Sequence, residues 1–345
     1  LWFEYTLPVV FDYLTCSPVK VEIKIQKLCY TGGNVFERIL LPLDISEASE
    51  IAVPYAEELA GVLGSEIILH YVRESNNGEL ERFFLDYLDR LAETIKQNIR
   101  RKNGKEVEIT TKVATGKPSQ NICELVTKNS IDLIVMTSVS ASGIKIGKTL
   151  GSVADHVCHT VPIPVMLLRP QNSRNTGGKK QLINKILIPL DGSMFSKKAL
   201  PVGEELAAKL NVPILLFEMA TMVYPSTNSP SMYGSDYVKV DDRDEQVIDY
   251  NYAKANEAEK SRSQAELMAI EQGIREHGIS VDYRITSGID AAREIEQISK
   301  EMSVDLIVMA THGRSGLDRW LMGSVAEKVL RYGKVPLLLI NVKAS

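Results

Sequence analysis

Several absences narrow the field before any motif is considered. Basic residues are not in excess: 40 Lys and Arg stand against 44 Asp and Glu, a formal net charge of -4. That leaves no positive field to neutralise a phosphate backbone and argues against nucleic acid as a partner. No run reaches the ~18 uninterrupted apolar residues of a membrane span. Cysteine is scarce, with Cys16, Cys29, Cys123 and Cys158 forming no C-x-x-C pair, so reduced thiols in a cytoplasmic compartment are expected. The opening segment has neither the basic start nor the small-residue cleavage site of a secretory signal. Three nucleotide-handling loops are also missing. After the strand-like stretch at 185–190 the chain reads Asp191-Gly192-Ser193-Met194-Phe195-Ser196 instead of S-G-G-x-D-S. H-x-G-H does not occur, and the nearest approach to a Walker A loop, 143–149, has only three residues between its glycines.

What is present is an internal repeat. The segment 38–46, with Pro42-Leu43-Asp44, returns at 185–193 with Pro189-Leu190-Asp191. Likewise 131–136 returns at 304–309, 151–155 at 323–327, and 161–168 is echoed at 334–340. A chain of 345 residues is comfortable for two domains of ~100–200 residues. The expected division is an extension of unassigned role at 1–34, a first domain at 35–169, a linker at 170–182 containing Gly177-Gly178, and a second domain at 183–343. In the extension, 21–25 alternates like a strand. The second copy alone carries an insertion at 220–251, rich in Tyr, Ser, Pro and Asp, which reads first as a disordered or passive surface loop and otherwise as a lid or a partner surface.

Short apolar runs alternate with helical periodicities in each copy, predicting βαβ crossovers and a buried parallel sheet. In the second copy the predicted strands are 185–190, 212–218, 279–286, 304–310 and 335–341, and the helices 194–210, 251–277, 291–302 and 323–333. Ser193 is the expected N-cap of the first helix, with Ala199, Val202, Leu206 and Leu210 on its inner face and Lys197, Lys198 and Glu205 left to solvent.

The most informative stretch is 309–325, a strand end, a glycine-bearing loop and a helix start. Glycine admits close approach of an anion to the backbone, and the N–H groups of a helix start favour negative charge. The spacing resembles the nucleotide-binding signature of universal stress proteins, G-x2-G-x9-G-S/T. Gly313 matches the second position, nine residues separate it from Gly323, and Ser324 follows, while Ala310 replaces the first glycine. Alanine suits that position provided it needs no positive φ and leaves room beside the phosphates. The resemblance covers roughly 36–342. It implies a tandem pair of doubly wound parallel five-stranded α/β sheets of strand order 3-2-1-4-5, the adenine nucleotide alpha hydrolase-like fold, with a crevice between the first and fourth strands. It further implies that the second copy binds ATP, accompanied by Mg²⁺ on the triphosphate, in stress response or regulation. The expected binding set is Pro189, Leu190, Asp191, Met309, Ala310, His312, Gly313, Arg314, Gly323, Ser324 and Val325, with Asp191 on the nucleoside side and the loop on the phosphates. Slow hydrolysis or self-phosphorylation is left open.

The first copy keeps Asp44 but has Thr137 and Ser140 where Ala310 and Gly313 stand, and a loop longer by one residue. It is therefore expected to bind ATP weakly or not at all and to serve as a structural partner. The strands at 161–168 and 335–341 are expected to pair the copies with each other or between chains, so a homodimer is an open expectation. His156, Cys158 and His159 lack an evident third metal ligand beyond their helix, and no metal is expected there. His312 lacks an orienting carboxylate for catalysis, and Arg314 and Arg319 are the cations expected nearest phosphate. The competing function is a nucleotide-independent dimerising module in which Ala310 marks a lost site.

Overall fold

The computed structural model describes residues 35–73, 81–138, 150–169, 181–221, 242–311 and 322–341, with four short strands before residue 35. Those strands are β1 (Glu4–Thr6), β2 (Val10–Phe11), β3 (Pro18–Val19) and β4 (Glu22–Lys24), paired antiparallel as β1 with β4 and β2 with β3. The strand expected at 21–25 is thus β4.

The first copy runs β5 (Arg38–Leu43), α1 (Glu47–Glu50), α2 (Val53–Leu63), β6 (Glu66–Arg73), α3 (Glu81–Asn103), β7 (Ile109–Thr115), α4 (Pro118–Lys128), β8 (Leu133–Thr137), α5 (Ser152–Thr160) and β9 (Val165–Leu168). The second runs β10 (Ile186–Leu190), a 3-10 turn (Ser196–Ala199), α6 (Leu200–Leu210), β11 (Ile214–Thr221), α7 (Asp242–Glu276), β12 (Val281–Gly288), α8 (Ala291–Glu301), β13 (Leu306–Ala310), α9 (Ser324–Tyr332) and β14 (Leu337–Ile340). Proline within the first two positions of α2, α4 and α6 is preset for a helix start. Gly64 and Asn211 end α2 and α6 in the left-handed region, at φ 79° and 55°.

Each copy has the strand order 3-2-1-4-5, but the copies do not form two sheets. The order β12-β11-β10-β13-β14-β9-β8-β5-β6-β7 makes one ten-stranded sheet, parallel throughout except where β14 meets β9 antiparallel. Leu337, Leu338 and Leu339 face Leu167, Met166 and Val165 across that join. Two fifth strands with only apolar side chains, each an open edge in its own copy, bury that edge against the other. Strands near the join are buried along their whole length, as continuous apolar runs require when helices cover both faces. The outermost β12 alternates in exposure and closes the far edge.

Helices α2, α3, α6 and α7 pack on one face through Leu59, Leu88, Ile95, Leu206 and Leu267. Helices α4, α5, α8 and α9 pack on the other through Ile122, Val157, Ile295 and Val329. Polar contacts reinforce the join. Arg331 on α9 binds Glu327 on its own helix and Asp155 of α5 at 2.9 Å. Asn341 Nδ2 donates to the carbonyls of Val161 and Ile163 at 2.7 and 3.0 Å. Buried Arg169 donates to the Leu330 carbonyl at the end of α9. Among the described residues no helix is long and apolar enough to cross a membrane.

Three local expectations are corrected. The insertion placed at 220–251 is partly regular structure, because β11 continues to Thr221 and α7 begins at Asp242; the stretch between lies outside the described residues. Lys197 is not left to solvent: it is 6% exposed and its Nζ sits 2.7 Å from Glu266 on α7. Ser193 is not the N-cap expected: its Oγ accepts the Ser196 N–H at 3.1 Å within the preceding turn, while the 3-10 turn is capped at Phe195 and α6 at Ala199.

Candidate functional site

Strands β10 and β13 are parallel neighbours, with Ile186 beside Leu306 and Leu187 beside Ile307. Their carboxyl ends therefore deliver Asp191 and Ala310 to one rim, where the strand order reverses. A cavity of about 410 Å³ opens there, lined by Pro189, Leu190, Asp191, Met309, Ala310, Gly323, Ser324 and Val325 among others. These are the described members of the predicted set. His312, Gly313 and Arg314, with Arg319, lie outside the described residues.

The floor is apolar. Phe217 and Met219 of β11, Ile295 of α8 and Met309 line it, a surface suited to a flat hydrophobic ring. At one end stands Asp191, whose backbone is held by a tight turn: its Oδ1 accepts the Ser193 N–H at 3.0 Å, and its own N–H donates to Ser196 Oγ at 3.3 Å. The carboxylate is thus both a turn residue and a fixed acceptor at the cleft. On the same lining α9 begins after Gly323, with no side chain among the described residues capping it. Backbone N–H groups of an uncapped first turn seek an acceptor, and the helix dipole adds to their attraction for an anion.

Ala310 belongs to regular strand, paired beside Ile340 and 5% exposed, and it is not among the residues of positive φ. The backbone condition under which alanine suits that position is met. The loop after it is closed at its base, where the Gly323 N–H donates to the Thr311 carbonyl at 2.7 Å.

The sequence did not single out Phe217, Met219, Gly288, Ile289, Asp290 or Lys328, which also line the cavity. They come from the ends of the second and third strands and from α9, and the rule that ligands gather at carboxyl ends would have pointed to the first four. Lys328 lies 3.3 Å from Asp290, and this hydrogen bond holds the Asp290 carboxyl below the usual carboxylate range.

The histidines of α5 form a different arrangement from a metal site on one helix. His159 Nε2 meets Glu327 of α9 at 3.1 Å, while Cys158 is buried and its thiol is pushed up to about 12 by burial. Asp155, His159 and Glu327 do approach one another, but Arg331 already supplies the positive charge between the two carboxylates.

The fold and its rim define a duplicated, doubly wound α/β protein with a cleft at the switch point of each copy. The Universal stress protein family model matches residues 36–169 and again 183–341, and the chain belongs to that family. Universal stress protein YxiE of Bacillus subtilis is 30% identical over 160 residues, which is 46% of this chain and 100% of the relative. A universal stress protein of Methanocaldococcus jannaschii is 27% identical over 162 residues, 47% of this chain and 84% of the relative. Among solved structures, a universal stress protein from Archaeoglobus fulgidus superposes with a TM-score of 0.58 at 20% identity, covering 88% of this chain and 98% of that one. The last likeness shows the fold.

Proposed function

We propose that the C-terminal cleft binds ATP, with Mg²⁺ entering on the triphosphate, and that occupancy serves a cytoplasmic stress response or its regulation. One observation carries the reading: Asp191, held in a tight turn, and the start of α9 at Gly323-Ser324 line the same apolar-floored cavity of about 410 Å³. A base fits the floor of Phe217, Met219 and Met309, a ribose hydroxyl or base amino group donates to Asp191, and the phosphates meet the helix start. The Gly313 to Gly323-Ser324 spacing supports the phosphate end, and the names of the sequence relatives support the stress role. Binding, not rapid turnover, is the activity proposed, with Mg²⁺ held chiefly by phosphate oxygens and water. The unpaired thiols of Cys123 and Cys158 accord with a reducing compartment. Because β9 and β14 pair within one chain, a homodimer would be built on other surfaces.

The test is direct. Purified protein is denatured and the supernatant chromatographed for adenine nucleotide, and ATP binding is titrated on the full chain. Asp191→Ala and Gly313→Val are expected to remove bound nucleotide and weaken ATP at least tenfold with unchanged melting. Wild-type affinity in both folded variants would overturn the proposal.

A further inference from the structure

The far edge of the sheet, β12, turns a row of backbone groups outward. Ile214 of β11 donates its N–H to the Ser280 carbonyl at 2.9 Å and stands beside Val281 in the parallel register. Asp282 and Arg284 therefore turn their backbone groups to β11, while Val281, Tyr283 and Ile285 turn theirs away from it. Among the described residues no strand pairs with that outer edge. Side chains stand in for one. The Tyr283 N–H donates to Asp282 Oδ1, the Tyr283 carbonyl accepts from Arg284 Nη1, and the Val281 carbonyl accepts from Arg275 Nη2, each at 2.9 Å. All three side chains are exposed, so each gives up rotamer freedom to do what a second backbone would do without that loss.

The residues around Tyr283 have the same polarity pattern read from either end, Val281-Asp282-Tyr283-Arg284-Ile285, with the two charges opposite in sign. When this strand is laid antiparallel on a second copy about a two-fold axis at Tyr283, the two tyrosines exchange both backbone bonds. Val281 of each chain does the same with Ile285 of the other. Between these pairs fall the positions without hydrogen bonds, where side chains come closest, and there Asp282 of each chain meets Arg284 of the other. Charges on an edge ordinarily repel a second strand; here each meets its opposite. The faces also agree. Val281, Tyr283 and Ile285 belong to the core face under α7, so the apolar stripe continues from one copy to the next, and the charged pair lies on the other face. The ion pair of 3.2 Å between Arg284 and Asp282 within one chain is exchanged for its equivalent between chains, and Arg275 keeps Glu271 at 2.7 Å. Centring the axis on Val281 or Ile285 instead sets Asp282 against Ser280 or Arg284 against Thr286 and loses the match. The opposite edge, β7, carries Lys112 and no acidic residue, so it has no such complement.

We propose that two copies of this chain associate edge to edge, β12 against β12 in antiparallel register about Tyr283, making one continuous sheet across the dimer.

The experiment is sedimentation equilibrium of the full chain over a series of protein concentrations, with hydrogen exchange read by mass spectrometry on the same series. A monomer–dimer equilibrium is expected, and amide protection is expected to rise with concentration in peptides spanning 279–287 but not in those spanning 109–115. Asp282→Arg sets like charges opposite one another at both symmetry-related positions and is expected to weaken the dimer at least about tenfold. Arg284→Asp alone is expected to do the same. The double exchange, Asp282→Arg with Arg284→Asp, restores opposite charges across the join and is expected to bring dimerisation back near the wild-type value. If a single variant melts early, the double variant and the wild-type exchange pattern decide. A monomer at every concentration, wild-type dimerisation in a folded single variant, no recovery in the folded double variant, or concentration-dependent protection that leaves 279–287 unchanged would each overturn the proposal.

Discussion

Gly203 offers a sharp test of how the C-terminal cleft is positioned. It sits within α6, and a Cβ built on it would lie 2.4 Å from Ile188 Cδ1 and 3.2 Å from Ile188 Cγ1. Ile188 is fully buried on β10, the strand that ends just before Asp191, so this close approach sets the height of α6 over the strand carrying the cleft carboxylate. Gly203→Ala brings two opposed effects. Alanine in a helix interior is favoured over glycine by about 1 kcal/mol, whereas forcing a methyl into a filled core costs typically about 1–3 kcal/mol. The overpacking should win by about 1 kcal/mol, because Ile188 has no solvent side into which to turn. In an Ile188→Val background, which itself costs about 0.5–1.5 kcal/mol, the atom at 2.4 Å is gone, and Gly203→Ala should become neutral or stabilising. The measurement is urea unfolding of all four proteins by far-ultraviolet circular dichroism, with coincident fluorescence transitions as the check that one cooperative step is observed. A coupling of about 1–2 kcal/mol is expected. Additive effects, or a more stable Gly203→Ala in the wild-type background, would refute the packing argument.

Three further outcomes follow from named contacts. Cys158, with its thiol pushed up to about 12, should resist iodoacetamide at pH 8 until the protein is unfolded, as read by peptide mass mapping, because the thiolate is the nucleophile; native labelling at the rate of an exposed thiol would contradict this. Glu58 accepts the N–H groups of Leu182 and Ile183 at 2.6 and 2.9 Å, so Glu58→Gln, which keeps one acceptor oxygen, should cost about 1–2 kcal/mol in urea unfolding, and no change would show that this tie between the copies is weak. His70 is held below the usual imidazole range in the folded chain, so as pH falls through about 6.5 the unfolded state takes up a proton that the folded state refuses, and stability drops at up to about 1.4 kcal/mol per pH unit. That loss, measured between pH 7.5 and 5.5, should be smaller in His70→Gln; equal losses in both proteins would refute the assignment.

The order of elements was legible because each copy writes its strands as short apolar runs and its helices with a 3.6-residue period, and the repeat doubled every signal. That eight of the eleven expected residues share one rim was legible because Asp191 and Gly323-Ser324 lie at strand and helix ends, where sequence pattern and chain topology specify position together. What escaped notice depends on contacts between distant segments. Lys197 looks like a solvent residue on its own helix and is buried only because α7 brings Glu266 over it. The extent of α7 was hidden because its first turns are polar and read as loop, so part of the insertion is helix where loop was expected. The single sheet was half legible: both edge strands were recognised as candidates for pairing, but no local pattern decides between pairing within a chain and between chains.

His70 shows where such reading stops and why the two clefts diverge. On β6 it is one histidine in an otherwise apolar run, and sequence alone cannot give its neighbour across the sheet. The parallel register does, placing it beside Pro42 as Phe217 is beside Pro189. The duplicated turns hold Asp44 and Asp191 alike, and the duplicated glycine starts leave α5 and α9 equally uncapped. The aspartate turn and the helix start are therefore common to the copies, whereas Lys328 lines the second cleft alone, Thr137 stands where Ala310 does, and the floors differ as well. An aromatic hydrocarbon there accepts a flat ring without asking for a hydrogen bond, whereas a neutral imidazole with a buried acceptor penalises any occupant that brings no donor. Phe217→His, which puts a polar ring where the second cleft has a buried aromatic one, should accordingly weaken ATP there and also cost stability, since an unmatched buried acceptor costs about 1–3 kcal/mol.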